Sequence, residues 1–246
     1  MSRGLRAVTA LGGAPRDVQV VELVGRFRLM TAEQIRSVIF STQISKTPLD
    51  RALKRLVDAG YLVRLGRMVG GFGGGSGQYV YQLGRVGWRL LGKGGGYRPL
   101  RVVDLHTLTI AECFVTLKLL EQSGELTVIA YEPDPASRRT VGDVLLTPDA
   151  YVELGVSALK LKYCFWLEID RDTENSETIK GKCVRYWRAF QGWDGTVFPY
   201  VVFVVPDAPR QRELERVIAG GPANAQELFR VYQLDTFGEL IHRNLR

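Results

Sequence analysis

Two apolar runs with acidic ends decide the fold of this chain: Asp149-Ala150-Tyr151-Val152-Glu153-Leu154 and Tyr163-Cys164-Phe165-Trp166-Leu167-Glu168-Ile169-Asp170. Side chains of a β-strand alternate between its two faces, so Glu168 and Asp170 project to the same side of the second run. If the runs pair, Asp149 joins them. Three converging carboxylates suit Mg²⁺ or Mn²⁺, because hard cations prefer oxygen ligands. The alternative interpretation is a pair of solvated strand ends, and the spacing leaves both open.

The elements predicted around these runs form a mixed α/β domain over residues 104–246. In order, they are a helix at 104–122, strands at 126–132, 149–154 and 163–170, a helix at 176–191, a strand at 199–205, a helix at 207–218 and a strand at 231–234. Alternating strands and helices are typical of such a domain. A leading helix, three strands, a helix and another strand are similar in order to the restriction-endonuclease-like nuclease core.

Lys182 is the predicted catalytic partner of these acids. In nucleases of this type a lysine usually stands two residues after the second acid, where this chain has Asp170. Lys182 lies three residues from Ile179 and four from Tyr186, at the margin of a buried helical stripe, so its ammonium is expected to reach the carboxylates. It would position water or stabilise charge on the phosphorane. The alternatives are a lysine that extends into solvent, or Lys180 in the same role.

Charge is divided unevenly along the chain. Residues 1–100 hold 16 Lys/Arg and 5 Asp/Glu, a balance of +11, whereas residues 101–246 hold 17 and 21, a balance of −4. Solubility alone does not require this asymmetry. A basic front half therefore predicts a polyanionic partner for that half.

Residues 17–91 are predicted to form a winged helix-turn-helix domain. The pattern predicts helices at 17–27, 31–40 and 46–59 and strands at 61–69 and 78–83, with a glycine-rich tip at 70–77. Thr31 and Gln34 have the spacing of a capping box at the start of the second helix. Three helices followed by such a hairpin are typical of the winged fold, whose last helix enters the major groove while the wing contacts the DNA backbone.

Double-stranded DNA is the predicted partner of this domain. The outward face of the third helix carries the residues expected in the groove, Lys46, Thr47, Arg51, Lys54 and Arg55, and the hairpin carries Arg64 and Arg67, expected on the backbone. The alternative is a winged helix that serves as a protein-interaction or dimerisation module. The glycine-rich tip lacks the Lys-Ser/Thr ending of a phosphate-binding loop.

The remaining segments predict no membrane contact. No apolar run approaches the ~20 residues that cross a bilayer. Residues 1–16 lack the apolar stretch of a signal peptide and are predicted to be a flexible leader. Residues 92–103, rich in glycine, are a predicted linker. The three cysteines lack metal-ligand spacing and are expected to be reduced residues of a cytosolic protein.

The chain resembles the replication-relaxation family, proteins of bacterial plasmids and integrated mobile elements. The likeness rests on Tyr81-Gln82-Leu83 with Gly87, His106, Pro148-Asp149-Ala150, and Glu168-Ile169-Asp170-Arg171-Asp172-Thr173-Glu174 followed by Lys182 and Tyr186. It extends over about residues 17–205, and the Glu-x-Asp-Arg-x-Thr-Glu run is its most specific part. The resemblance implies a bacterial cytoplasmic protein of plasmid replication or DNA relaxation.

Two functions are open at this point. One is a DNA-binding protein of a plasmid, phage or integrated island that acts in replication, relaxation, transfer or its control. The other is a metal-dependent endonuclease or nickase, with Asp149, Glu168 and Asp170 on Mg²⁺ or Mn²⁺ and Lys182 assisting. The absent lysine after Glu168 also leaves open a catalytically silent nuclease fold. A protein-interaction adaptor, a homodimer and contacts with replication or transfer proteins are further alternatives.

Overall fold

The computed structural model describes residues 15–68, 77–156, 160–195 and 197–239. The predicted leader, apart from Pro15 and Arg16, and the predicted hairpin tip, apart from Gly77, lie outside the described residues. The chain divides into two compact units, Met1–Val115 and Thr116–Arg246. The predicted mixture of helices and strands is confirmed. Of the helices described, none has the length and apolar character needed to cross a membrane.

The first unit contains helices beside a small antiparallel sheet. Its elements are α1 (Pro15–Phe27), β1 (Met30–Thr31), α2 (Ala32–Ile39), α3 (Thr47–Asp58), β2 (Leu62–Met68), β3 (Gln78–Leu83) and α4 (Arg85–Leu90), followed by the start of α5 (Leu105–Gln122). The sheet order is β1-β3-β2, with both pairings antiparallel. The sequence did not predict β1, because two residues are too few for an alternating pattern.

The predicted capping box at the start of α2 is confirmed. Thr31 Oγ1 accepts a hydrogen bond from Gln34 N at 3.1 Å, and Gln34 Oε1 accepts one from Thr31 N at 3.0 Å. The amide of Gln34 also donates to Leu108 O at 3.0 Å and to Glu112 Oε2 at 2.8 Å. The cap therefore fixes the first half of α5 to the first unit, and the division between the units falls within that helix.

The predicted linker at 92–103 is packed against the first unit. Gln82 Nε2 donates to Leu100 O, and Leu100 N donates to Gln82 Oε1, each at 2.9 Å. Leu100 and Val103 pack against the buried cluster that contains Leu108. These two hydrogen bonds hold the segment in place, although it contains no helix or strand. The glycine content of the segment did not predict this packing.

The second unit is built on a five-stranded mixed sheet. Its elements are β4 (Thr127–Pro133), β5 (Arg139–Val141), β6 (Val144–Leu146), β7 (Ala150–Val156), β8 (Leu161–Ile169), α6 (Ser176–Gln191), β9 (Tyr200–Val205), α7 (Ala208–Ala219), α8 (Ala223–Gln226) and β10 (Phe229–Gln233). The sheet order is β10-β9-β8-β7-β4. Strand β7 is antiparallel to β4 and β8, whereas β9 is parallel to β8 and β10. The β5–β6 hairpin was not predicted, because each strand has three residues.

One face of this sheet is covered by α6 and α7. Trp166 and Phe203 from the strands are buried there with Ile179 and Tyr186 of α6 and Leu214 of α7. Because side chains two residues apart on a strand share a face, Glu168 points to the same side as Trp166. A carboxylate is therefore placed at the end of an apolar core.

Candidate functional site

Asp149 and Glu168 lie opposite each other where β7 begins and β8 ends. The antiparallel register pairs Ala150 with Leu167, so the residues on either side of that pair, Asp149 and Glu168, are neighbours across the strands. Asp149 N donates to Leu167 O at 3.0 Å, and Asp149 Oδ2 accepts from Ile169 N at 2.7 Å. Opposed residues on paired strands point to the same face. The two acidic runs therefore pair, which is the condition under which Asp149 joins the acids of the second run.

Glu168 is buried and accepts two side-chain hydrogen bonds from α6. It is 4% exposed, so the carboxyl group is removed from water. Oε2 accepts from Lys182 Nζ at 2.9 Å, and Oε1 accepts from the Tyr186 hydroxyl at 2.6 Å. Lys182 also lies 3.0 Å from Glu174 Oε1. Lys182 therefore reaches Glu168 from the helix, as its position on the stripe predicted.

The electrostatics of this cluster follow from burial. Burial raises the pKa of Glu168 to about 7, with the charge of Asp149 adding to the effect while Lys182 and Tyr186 oppose it. Burial by itself lowers the pKa of Lys182, but the carboxylates of Glu168 and Glu174 outweigh it and raise that pKa. Glu168 consequently titrates near neutral pH beside a lysine that stays protonated.

Asp170 shares the face of Glu168 but is held by a different partner. Its Oδ2 accepts from Arg210 Nε at 2.8 Å, and its Oδ1 accepts from Asp172 N at 2.8 Å. Arg210 is buried at the start of α7 and also donates to Glu213 at 2.9 Å. The sequence analysis missed Arg210, because it lies 40 residues from Asp170 and no local pattern relates them.

The carboxylates of the predicted metal site accept hydrogen bonds from the protein. Both oxygens of Glu168 and both oxygens of Asp170 do so. Mg²⁺ takes oxygen ligands, such as carboxylates, in near-octahedral geometry. Across the described ranges, no group of three or more His, Cys, Asp and Glu side chains could hold a metal ion. The metal-ligand roles of Asp149, Glu168 and Asp170 and the catalytic role of Lys182 stay predictions.

Helix α3 of the first unit presents a basic outer face. Its inner face buries Leu49, Ala52, Leu53 and Leu56, while the predicted DNA-binding residues of the helix and its start are exposed: Lys46, Thr47, Arg51, Lys54 and Arg55. This separation follows the apolar stripe in the sequence. The helix therefore uses one face for the core and leaves the other available.

Some basic residues of this face form ion pairs within the residues that the structure describes, and one does not. Three are paired with acids: Arg55 with Asp17 at 2.9 Å, Lys54 with Asp58 at 2.6 Å and Lys46 with Glu33 at 3.8 Å. Asp17 is 5% exposed, so its pair with Arg55 is the most protected of the three. Arg51 forms no ion pair with any residue in the described part of the chain. The sequence could not reveal the partner of Arg55, because Asp17 lies on another helix, whereas Lys54 and Asp58 have the i, i+4 spacing of a pair within one helix.

The hairpin of β2 and β3 lies beside α3. Burial raises the pKa of Tyr81 on β3, the charge of Arg64 opposes this, and the charge of Asp50 on α3 adds to it. Arg64 and Arg67 are exposed, and both guanidinium groups lie over the ring of Tyr79. Tyr81, which pairs with Arg64 across the hairpin, is thus close enough to α3 for the charge of Asp50 to act on it.

Together these features define a mixed α+β protein with a basic helix-and-hairpin surface in one unit and a buried carboxylate–lysine cluster in the other. The chain belongs to the replication-relaxation family, which matches residues 21–199, more than half of its length. The matched range includes both the basic surface and the buried cluster, and it connects the chain with replication or relaxation of mobile elements. No curated protein and no solved structure matches the chain.

Proposed function

We propose that the protein binds double-stranded DNA of a bacterial mobile element through its first unit, and acts in replication, relaxation, transfer or its control. One observation carries the proposal: Arg51, Arg64 and Arg67 are exposed on neighbouring elements and have no carboxylate partner among the residues described. Such cations can contact phosphates without giving up an internal ion pair. Contacts of this kind release counterions and supply most of the affinity for a duplex.

A winged helix-turn-helix is the fold that we propose for the first unit. The order of α1, α2 and α3 before the β2–β3 hairpin supports it, as does a sheet in which β3 lies between β1 and β2. In this arrangement α3 is the helix that enters the major groove and the hairpin is the wing.

For the second unit we propose a restriction-endonuclease-like core. Three antiparallel strands, β4, β7 and β8, are followed by α6 and by β9 parallel to β8, which supports the proposal. Asp149 precedes the second of these strands and Glu168 lies near the end of the third. We propose that this core binds DNA or a protein partner, or pairs protomers, rather than cleaving.

Binding to a labelled mixed-sequence duplex, measured by fluorescence anisotropy at several KCl concentrations, tests the DNA proposal. We expect the logarithm of the affinity to fall linearly with that of the salt concentration. The variant Arg51→Gln/Arg64→Gln should lower the slope by about 2, because two phosphate contacts are lost. The matched control Arg212→Gln/Arg216→Gln removes the same charge from exposed positions on α7. Absent or salt-independent binding, or equal losses in the two variants, contradicts the proposal.

Endonuclease activity is the second candidate function, because the fold brings Asp149, Glu168 and Lys182 into one cluster. Supercoiled plasmid incubated with the protein and Mg²⁺ or Mn²⁺ tests it. Nicking by the wild type that is lost in Asp149→Asn/Glu168→Gln would establish the cluster as the active site. Nicking that survives this double change excludes the cluster. A wild type that binds DNA without nicking it supports the non-cleaving core.

A further inference from the structure

Tyr79 brings two arginines together on the β2–β3 hairpin. Cζ of Arg64 lies 4.3 Å and Cζ of Arg67 lies 4.5 Å from the centre of the Tyr79 ring. The Arg67 guanidinium also donates a hydrogen bond of 3.0 Å to the Tyr79 hydroxyl. A single half-buried ring thus orders two exposed cations, through its face and through its oxygen.

A β-bulge explains how Arg64 and Arg67 reach the same ring. In a regular strand, residues three apart point to opposite faces. Here Arg64 pairs with Tyr81 and Arg67 pairs with Tyr79, and the register shifts between Arg64 and Gly66. Leu65 is the extra residue, and the insertion of one residue returns the alternation to the same face. The backbone therefore places both arginines on the side of Tyr79.

The charge at this point is not balanced within the described ranges. Each of the two guanidinium groups carries a positive charge. Neither Arg64 nor Arg67 meets a carboxylate among the residues that the structure describes. Two like charges beside one ring repel each other, and an anion bound to both relieves the repulsion. The planar fork of donors on each guanidinium matches phosphate oxygens in pairs.

We propose that Tyr79 is a positioning residue that orders Arg64 and Arg67 into one site for a backbone phosphate of duplex DNA. The inference rests on the proposed DNA binding of the first unit and adds a residue and a geometry to it. A free arginine must lose rotamer freedom when it binds, and stacking on a fixed ring removes part of that loss before the ligand arrives. Tyr79 thus contributes by pre-organising the two arginines, and its side chain adds no charge to the site.

Because Tyr79 carries no charge, the effect of its substitution on DNA binding can be distinguished from the effect of substituting the arginines. In anisotropy titrations with a mixed-sequence duplex, Tyr79→Leu should weaken binding about five- to tenfold at fixed salt, because two cation–π contacts are lost. Its salt slope should match that of the wild type, because both cations remain. Tyr79→Phe keeps the ring and should restore most of the affinity. Arg64→Gln/Arg67→Gln should instead lower the slope by about 1, because the contact with that one phosphate is lost.

Val63→Ala is the matched control, since Val63 is 38% exposed on the opposite face of the same hairpin. If the wild type binds duplex DNA and Tyr79→Leu binds like Val63→Ala, the proposed site is overturned while the DNA proposal stands. If the wild type does not bind duplex DNA, both are overturned. Should Tyr79→Leu not fold, Arg64→Lys/Arg67→Lys decides: it keeps the charge but not the planar forks. Loss of affinity at an unchanged slope supports the site, and wild-type affinity overturns it.

Discussion

Lys182 Nζ lies 2.9 Å from Glu168 Oε2, so α6 supplies an ammonium to the acidic end of β8. Nucleases with the restriction-endonuclease-like core, the fold that we propose for the second unit, usually carry a lysine on the strand, two residues after the second acid, where this chain has Asp170. The cluster nevertheless contains a lysine beside that acid. The contact contributes to the stability of the second unit and opposes the effect of burial on the pKa of Glu168.

Removing the ammonium should destabilise the second unit. Lys182→Met leaves Glu168 buried without its cation, and the loss of one partner of a buried pair costs about 3 kcal/mol. The loss should be larger at pH 8 than at pH 5, because the unpaired carboxyl group can be protonated at the lower pH. Urea unfolding followed by tryptophan fluorescence measures this, since Trp166, Trp187 and Trp193 lie in the second unit. Lys180→Met, on the exposed face of α6, is the control and should change little.

The raised pKa of Glu168 predicts a specific pH dependence of stability. Its folded pKa is about 7 and its ordinary value 4.5, so between these values the folded protein binds more protons than the unfolded chain. The contribution of Glu168 is therefore present below pH 4.5 and is lost as the pH rises through 7. Between pH 4.5 and about 7, the unfolding free energy of the wild type should fall by up to about 3 kcal/mol relative to that of Glu168→Gln. The unfolding free energies of both proteins are measured in EDTA over this pH range. A difference between them that does not change with pH would contradict the raised pKa of Glu168.

Arg210 should be among the most sensitive positions in the second unit. It is 4% exposed and paired with Asp170, Asp172 and Glu213. Arg210→Ala leaves the buried Asp170 without its cation and should destabilise the unit by about 3–5 kcal/mol. Arg212→Ala, two residues along and exposed, should change the unfolding free energy by less than about 0.5 kcal/mol. Similar losses at the two positions in denaturant titrations would refute this ranking.

Arg55 is expected to act on stability more than on DNA affinity. Its partner Asp17 is 5% exposed, so Arg55→Ala leaves a buried carboxylate unpaired, at a cost of about 1–3 kcal/mol. The double variant Asp17→Ala/Arg55→Ala should recover part of this loss. Hydrogen exchange in α1 and α3 measures the effect within the first unit. Independent, additive effects of the two changes would show that the pair does not couple the helices.

Arg51 and Lys54 offer a contrast on a single helix. Arg51→Ala should reduce affinity for the duplex and lower the salt slope by about 1. Lys54→Ala should have a smaller effect, because its ammonium is paired with Asp58 at 2.6 Å. Anisotropy titrations of both variants at matched salt compare them. Equal losses would mean that Lys54 leaves Asp58 when DNA binds.

Long periodic segments were predictable from sequence, and tertiary pairings were not. Helix α6 was predicted within its observed bounds, because its apolar stripe spans several turns. Strands β7 and β8 were found from their acidic ends and apolar centres. The β5–β6 hairpin was missed because three residues give no period. The bulge at Leu65 was missed, although Gly66 lies at the register shift and a glycine inside a strand often marks a bulge.

The candidate site was predictable to the same extent. Glu168 and Lys182 could be related because a strand and the next helix along the chain were both recognisable. Arg210 and Asp17 could not be related to their partners, since contacts between distant elements leave no local pattern. The pairing of Arg55 is accordingly a property of the folded chain, whereas the pairing of Lys54 with Asp58 follows from their spacing on α3.

The pair of Asp170 and Arg210 has a consequence for protein design. Replacing Asp170 with lysine, the residue usual at this position in restriction-endonuclease-like nucleases, would set a second cation against the Arg210 guanidinium, which is 4% exposed. Such a variant should misfold, because two like charges inside the protein repel each other. A designed lysine at position 170 therefore requires a change at position 210 first.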